Sequence, residues 1–240
     1  MTDKIRVALV GARGRMGQAI VSVAPSEGVE IVARMDLGDP IVAANADALI
    51  DFSSAAAAEA ICDAVLKSGT PLVIGTTGHS AKEKKPIDTA AHKIPIVLAS
   101  NFSVGVNALF ALTEQAAKIL GDDFDLEIVE THHRLKKDAP SGTAKTLAEI
   151  LRRARKSEKV RHGREGITGE RDKSEIGIHS VRGGDVVGDH TVIFAGKGER
   201  VELTHRAGSR ETFARGALRA ARWVIGKSPG LYDMSDVIGL

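Results

Sequence analysis

The chain has 240 residues, 43% of them hydrophobic, which suffices to bury a sizeable core in one large or two modest domains and excludes a disordered chain. Its 33 Lys and Arg nearly balance 31 Asp and Glu; a formal net charge of +2 gives no general field for gathering nucleic acid or an anionic membrane, so any anion site must be local. The apolar run at residues 5–10 is too brief for a signal-peptide core or a membrane span, so a cytoplasmic location is expected, and the single cysteine, Cys62, lies in an Ala-rich helical pattern and reads as a buried, inert thiol.

In chain order, apolar runs at 6–10, 30–35, 48–52, 72–75 and 96–99 predict short strands. They alternate with helical patterns at 16–24, 56–67 and 81–92, the signature of a doubly wound parallel sheet with helices on both faces. The first strand runs into Gly11-Ala12-Arg13-Gly14-Arg15-Met16-Gly17 and then a helix. A dinucleotide pyrophosphate needs such a place: a tight strand-to-helix turn, backbone without side chains in the way, and free N–H groups at a helix start. The second strand ends at Asp36, where a carboxylate would accept hydrogen bonds from adenosine ribose hydroxyls and oppose a 2′-phosphate, favouring NADH over NADPH. Arg13 and Arg34 could each pair with a phosphate, which leaves use of both coenzymes open. Two later strand ends, with Gly75, Thr76 and Thr77 and with Ala99, Ser100, Asn101 and Phe102, should open on the same crevice as Gly11 and wall the nicotinamide.

A second region follows Asn101. It begins with a helical pattern at 107–120 and an alternating strand at 125–131. The strand leads into His132-His133-Arg134-Leu135-Lys136-Lys137-Asp138-Ala139-Pro140-Ser141-Gly142-Thr143. Adjacent histidines diverge from a strand and no Cys or Glu-x-x-His partner sits at ligand spacing, so no metal is expected. Cations here attract a carboxylated substrate, while a His or Lys can deliver a proton as hydride arrives. Ser141, Gly142 and Thr143 open a helix whose N–H groups and hydroxyls can clamp a carboxylate, so a small ring with two carboxylates would be held between them and His133 or Lys137. Residues 152–171 are polar, basic and glycine-containing and read as a surface loop. Strands at 175–181, 190–195 and 200–204 would extend an open mixed sheet, and a helical pattern at 211–225 could return to the first domain. The basic run 152–164 has no interleaved aromatics, so no nucleic-acid partner is expected, and no membrane partner either.

These residues resemble the 4-hydroxy-tetrahydrodipicolinate (dihydrodipicolinate) reductase family. Six blocks carry the likeness in order: 10–17, Ile50-Asp51-Phe52-Ser53, 73–78, 101–107, the specific His-His-Arg-x-Lys-x-Asp-Ala-Pro-Ser-Gly-Thr segment at 132–143, and Val187-Gly188-Asp189-His190-Thr191. The resemblance implies an α/β chain with a Rossmann-like domain at 1–103 completed by 211–240, an α+β substrate and oligomerisation domain at 104–210 with an open mixed sheet, and a homotetramer. It implies His132 and Lys136 as catalytic proton donors, substrate binding by His133, Gly142 and Thr143, and NADH or NADPH along Gly11, Ala12, Arg13, Gly14, Arg15, Met16, Asp36, Gly75 to Thr77 and Ala99 to Phe102. Many members have an arginine directly after the ribose-binding acid, where this chain has Leu37, which again favours NADH. The competing expectations are a dehydrogenase of another small carbonyl or sugar, for which the 141–143 segment would be superfluous, and a dinucleotide sensor without catalysis.

Overall fold

The early apolar runs become β1 (Ile5–Val10), β2 (Val29–Met35), β3 (Ala48–Asp51), β4 (Leu72–Ile74) and β5 (Pro95–Leu98) in a computed structural model that describes residues 4–156 and 159–240. With β11 (Gly230–Tyr232) they form one sheet in the order β11-β5-β4-β3-β1-β2, parallel throughout. Both faces of the central strands β3, β4 and β5 are covered, which is why these read as nearly unbroken apolar runs, whereas the edge strand β2 alternates. Val7 and Leu9 face α1 (Arg15–Val23), α6 (Glu211–Val224) and α7 (Met234–Ile238), whereas Ala8 and Val10 face α2 (Ala58–Ser68) and α3 (Ala81–Ala91). Residues 36–47 cross from β2 to β3 without a helix. This sheet and its helices make one unit, running to Val104 and resuming from Arg210 to Leu240.

The other unit, Gly105–Ser209, holds most of α4 (Val104–Leu120), then β6 (Asp125–His132), α5 (Gly142–Arg155), β7 (Lys159–His162), β8 (Glu175–Arg182), β9 (Gly188–Ala195) and β10 (Arg200–Ala207). Its mixed sheet has the order β10-β9-β6-β8-β7, with β6, β8 and β7 parallel and β9 and β10 antiparallel. Leu126 and Ile128 of β6 pack with Leu147 and Leu151 of α5 and with Phe194 of β9. The same period-two alternation carries Glu130 and His132 onto this buried face at the strand's carboxyl end.

The two fold types match the sequence expectation: a Rossmann-like parallel sheet and a separate mixed sheet. Three details differ. The expected loop at 152–171 contains the last turn of α5 and the edge strand β7, because its basic side chains are neutralised by carboxylates of the sheet. Arg164 and Arg171 each pair with Glu127, at 2.7 and 3.0 Å, Arg171 also with Asp125 at 2.9 Å, and Arg155 with Asp122 at 2.8 Å. The helix expected from 107 starts at Val104, and β11 and α7 were absent from the sequence expectation; each is too short to show a period.

Candidate active site

In the first unit the loops beyond the carboxyl ends of β1, β3, β4 and β5 converge. Gly11 has φ +85°, and a Cβ there would lie 2.3 Å from the Phe52 carbonyl oxygen, so the turn admits only glycine. Gly17 lets α1 press on the turn, since its Cβ would lie 2.1 Å from the Gly11 oxygen. Gly14 caps α1 with no side-chain hydrogen bond, leaving that helix start to an anion. Asp36 accepts a hydrogen bond from the Arg13 backbone N–H at 2.8 Å, and the Arg13 guanidinium stands 3.8 Å from the same carboxylate. Gly75 makes room for the Phe52 ring, 2.2 Å from where its Cβ would be; Thr76 Oγ1 accepts from Ser53 N–H at 2.9 Å, and Phe52 meets Phe102 edge to face at 5.6 Å. Ala99 N–H bonds the Ile74 carbonyl at 3.2 Å, and Asn101 Oδ1 accepts from Ser103 N–H at 2.8 Å. Behind these loops Asp51 is buried; desolvation raises its pKa against the hydrogen bonds from Ser53. The structure therefore brings together the glycine turn, Asp36 and both later loops.

The second unit gathers the other expected residues. His132 ends β6, and its Nδ1 lies 2.5 Å from Glu130 Oε2. Glu130 is fully buried, yet hydrogen bonds from Arg182, His132 and Ser180 outweigh the desolvation and hold its carboxyl at about 2. Arg182 reaches both Glu130 oxygens, at 2.9 and 2.8 Å, and Ser141 N–H donates to Oε1 at 3.1 Å. For His132, burial prevails over the attraction of Glu130, and its pKa lies below the ordinary 6.5. His190, edge to face with His132 at 5.1 Å, is pushed down to about 3 by burial and then by the charge of His132; its Nε2 lies 2.9 Å from Ser141 Oγ. Two imidazoles sit side by side because one of them stays neutral.

Ser141 Oγ also accepts from Ala144 N–H at 3.2 Å, so this hydroxyl faces inward and caps α5 instead of standing open. Gly142 follows at the first helical position. Apart from its chain neighbours and the backbone of its own helix turn, no atom of the described residues lies within 4 Å of a Cβ placed there and its φ is not left-handed, so none of them demands a glycine. Lys136 Nζ donates to Asp138 Oδ1 at 2.8 Å, and its charge reaches both His132 and His190. His133 Nδ1 is buried and finds no hydrogen-bond partner among the described residues. Glu130, Arg182 and His190 had no assigned role in the sequence reasoning. Glu130 is legible by falling in phase with Leu126, Ile128 and His132 on the buried face, and His190 only as part of the 187–191 block.

The family models described as "Dihydrodipicolinate reductase, N-terminus" and "C-terminus" match residues 5–102 and 105–238. The chain belongs to the dihydrodipicolinate reductase family. It is 54% identical over 242 residues to a 4-hydroxy-tetrahydrodipicolinate reductase of Akkermansia muciniphila, covering 98% of each chain. A protein of the same name from Thiobacillus denitrificans is 48% identical over 264 residues, covering 98% of this chain and 99% of that one. Among solved structures, the dipicolinate-bound dihydrodipicolinate reductase of Paenisporosarcina sp. TG-14 superposes with a TM-score of 0.78 at 28% identity, covering 98% of this chain and 99% of that one. The cofactor of this family member is a nicotinamide dinucleotide, and the uncapped start of α1 beside the Gly11 turn fits its pyrophosphate.

Proposed function

We propose that the chain reduces 4-hydroxy-tetrahydrodipicolinate to tetrahydrodipicolinate, with consumption of one NAD(P)H and one proton and release of water, on the route to diaminopimelate and lysine. Within a family already shown, the observation that carries this reading is the His132–Glu130 pair set beside an open helix start at Gly142. The reduced nicotinamide supplies the hydride when bound. The Gly11 turn and the start of α1, with Ala12, Arg13, Gly14, Arg15 and Met16, hold the pyrophosphate, and Asp36 accepts from the ribose hydroxyls. Asp36 followed by Leu37 favours NADH. Gly75, Thr76, Thr77, Ala99, Ser100, Asn101 and Phe102 form the nicotinamide wall.

On the substrate side, Gly142 and Thr143 at the start of α5 take one carboxylate and His133 the other. A dianion beside His132 offsets the burial that depresses its pKa, so His132 takes up a proton on Nε2 and delivers it as hydride arrives at the ring. Lys136 leaves Asp138 to act as the second donor. Steady-state kinetics with NADH and NADPH side by side test the reading and the coenzyme choice together. His132→Ala and Lys136→Ala lose turnover while still binding coenzyme, and failure of the wild-type protein to oxidise either coenzyme with this substrate overturns the reading. A cytoplasmic homotetramer is the state we assign. Its support is the open sheet face, where Val129, Thr131, Thr191 and Ile193 are only half-buried and Val181 is exposed; light scattering at micromolar concentration decides it.

A further inference from the structure

Glu130 is surrounded by donors, Ser180 among them. Oε2 receives His132 Nδ1 at 2.5 Å and one Arg182 nitrogen at 2.9 Å, and Oε1 receives Ser141 N–H at 3.1 Å and the other Arg182 nitrogen at 2.8 Å. That second nitrogen donates also to the carbonyl oxygen of Asp138, at 2.8 Å. The neighbouring backbone is tied in the same place: Gly183 N–H bonds the His132 carbonyl at 2.9 Å, and Arg134 N–H the Gly184 carbonyl at 3.2 Å. A buried ion pair contributes little net stability, because desolvation offsets most of the attraction. What this pair gains is geometry, since each partner it contacts belongs to a different part of the site.

We infer that Glu130 and Arg182 form a positioning pair that fixes the His132 ring, the start of α5 and, through Asp138, the loop bearing Lys136. The inference rests on the roles proposed above for His132 and Lys136. An ionised carboxylate only accepts, so the proton shared with His132 resides on Nδ1. Neutral His132 then presents a bare Nε2, and the imidazolium presents an Nε2–H with Glu130 compensating its charge. Gly188 clears the space for that end of the ring, since a Cβ there would lie 3.0 Å from His132 Nε2. Ser141 joins the two halves of the device: its N–H is held by Glu130 and its hydroxyl by His190, so the carboxylate cradle and the proton donor share one anchor.

Glu130→Gln provides the test. Its amide oxygen must stay with Ser141 N–H and Arg182, which turns the NH2 toward His132 and forces Nδ1 to accept. Nitrogen NMR of histidine-labelled protein, above the histidine titration range, should find His132 as the Nδ1–H tautomer in wild type and Nε2–H in Glu130→Gln. Turnover with NADH falls about 10²- to 10⁴-fold in this variant, with the substrate KM changed less than about tenfold. Glu130→Asp keeps the Nδ1–H tautomer and recovers most of the lost turnover, and it serves also should Glu130→Gln fail to fold. Arg182→Lys keeps the tautomer but loses turnover through the freed Lys136 loop. An Nε2–H tautomer in wild type, or wild-type turnover in Glu130→Gln, overturns the inference. Because the tautomer is read without substrate, it decides the positioning role even if the wild-type protein proves inactive, an outcome that would instead remove the proposed reaction.

Discussion

Gly142→Ala separates folding from substrate binding at a single atom. Apart from its chain neighbours and the backbone of its own helix turn, the new methyl has no atom of the described residues within 4 Å, and the φ of Gly142 is not left-handed, so the fold gives no reason for a loss of stability. Alanine at a helical position is favoured over glycine by up to ~1 kcal/mol, less at the first turn, so the unfolding midpoint should stay the same or rise slightly. A substrate carboxylate seated on the start of α5 meets that methyl in the space the glycine leaves open. Losing one charge-assisted hydrogen bond costs about 1.5–3 kcal/mol, which corresponds to a rise in substrate KM of about ten- to hundredfold. The KM for NADH should not change, because the coenzyme loops lie in the other unit. Urea denaturation, steady-state kinetics and inhibition by pyridine-2,6-dicarboxylate measure the three quantities. An unchanged substrate KM, or a loss of stability large enough to account for the kinetics, refutes the placement of a carboxylate at Gly142.

Gly216→Ala should behave in the opposite way: a Cβ on this residue of α6 would fall 1.8 Å from the Phe102 carbonyl oxygen, so despite the helix propensity of alanine it destabilises by about 1–3 kcal/mol and weakens coenzyme binding, as thermal melts and NADH titration will report. Stability should depend on acid in two stages. His190 is held near 3 in the folded chain against an ordinary 6.5, so the stability from its neutral form is complete above 6.5 and is lost as pH falls toward 3. Glu130, at about 2 against an ordinary 4.5, adds a second loss as pH falls below 4.5. His190→Gln should shrink the first stage in urea midpoints measured across this range, leaving the smaller part due to His132 and His205, and the second should persist. Cys62, raised to about 11 by burial and then by Asp63 and Asp51, should resist iodoacetamide at neutral pH until denaturant is added; quantitative labelling of the native protein would contradict its placement under α3.

Much of this arrangement is visible in the sequence, because periodic burial writes itself into local pattern. The runs 6–10 and 48–52 predict strands that the fold uses, and the turn at Gly11 is legible because only a glycine fits against the Phe52 carbonyl. The partners of His132 are harder to find. Arg182 contacts Glu130 across 52 residues, and His190 contacts Ser141 across 49, so neither follows without the parallel register of β6 with β8 and the antiparallel register with β9. Glu130 itself was within reach: a carboxylate in phase with Leu126 and Ile128 must be paired if it is buried, which is a reason to search for its cation. The basic segment at 152–171 misled because charge composition alone does not reveal acidic partners such as Glu127 and Asp125, which lie far away in sequence. The Ser141 hydroxyl, expected to grip substrate, is engaged with His190 and Ala144, a competition that only the folded chain reveals.

The last stretch of chain has a consequence for synthesis on the ribosome. Ala214, Ala217, Leu218, Ala221 and Val224 of α6 lie in the same apolar cluster as Val7, Leu9 and Ile20, and β11 adds the edge next to β5. A nascent polypeptide that has emerged only as far as Val104 has α1 on this side of its first sheet but leaves the part that α6 covers exposed until residues 211–224 follow. The inserted unit has all its own strands and can fold while the first waits, so chains released early should be the ones that chaperones retain.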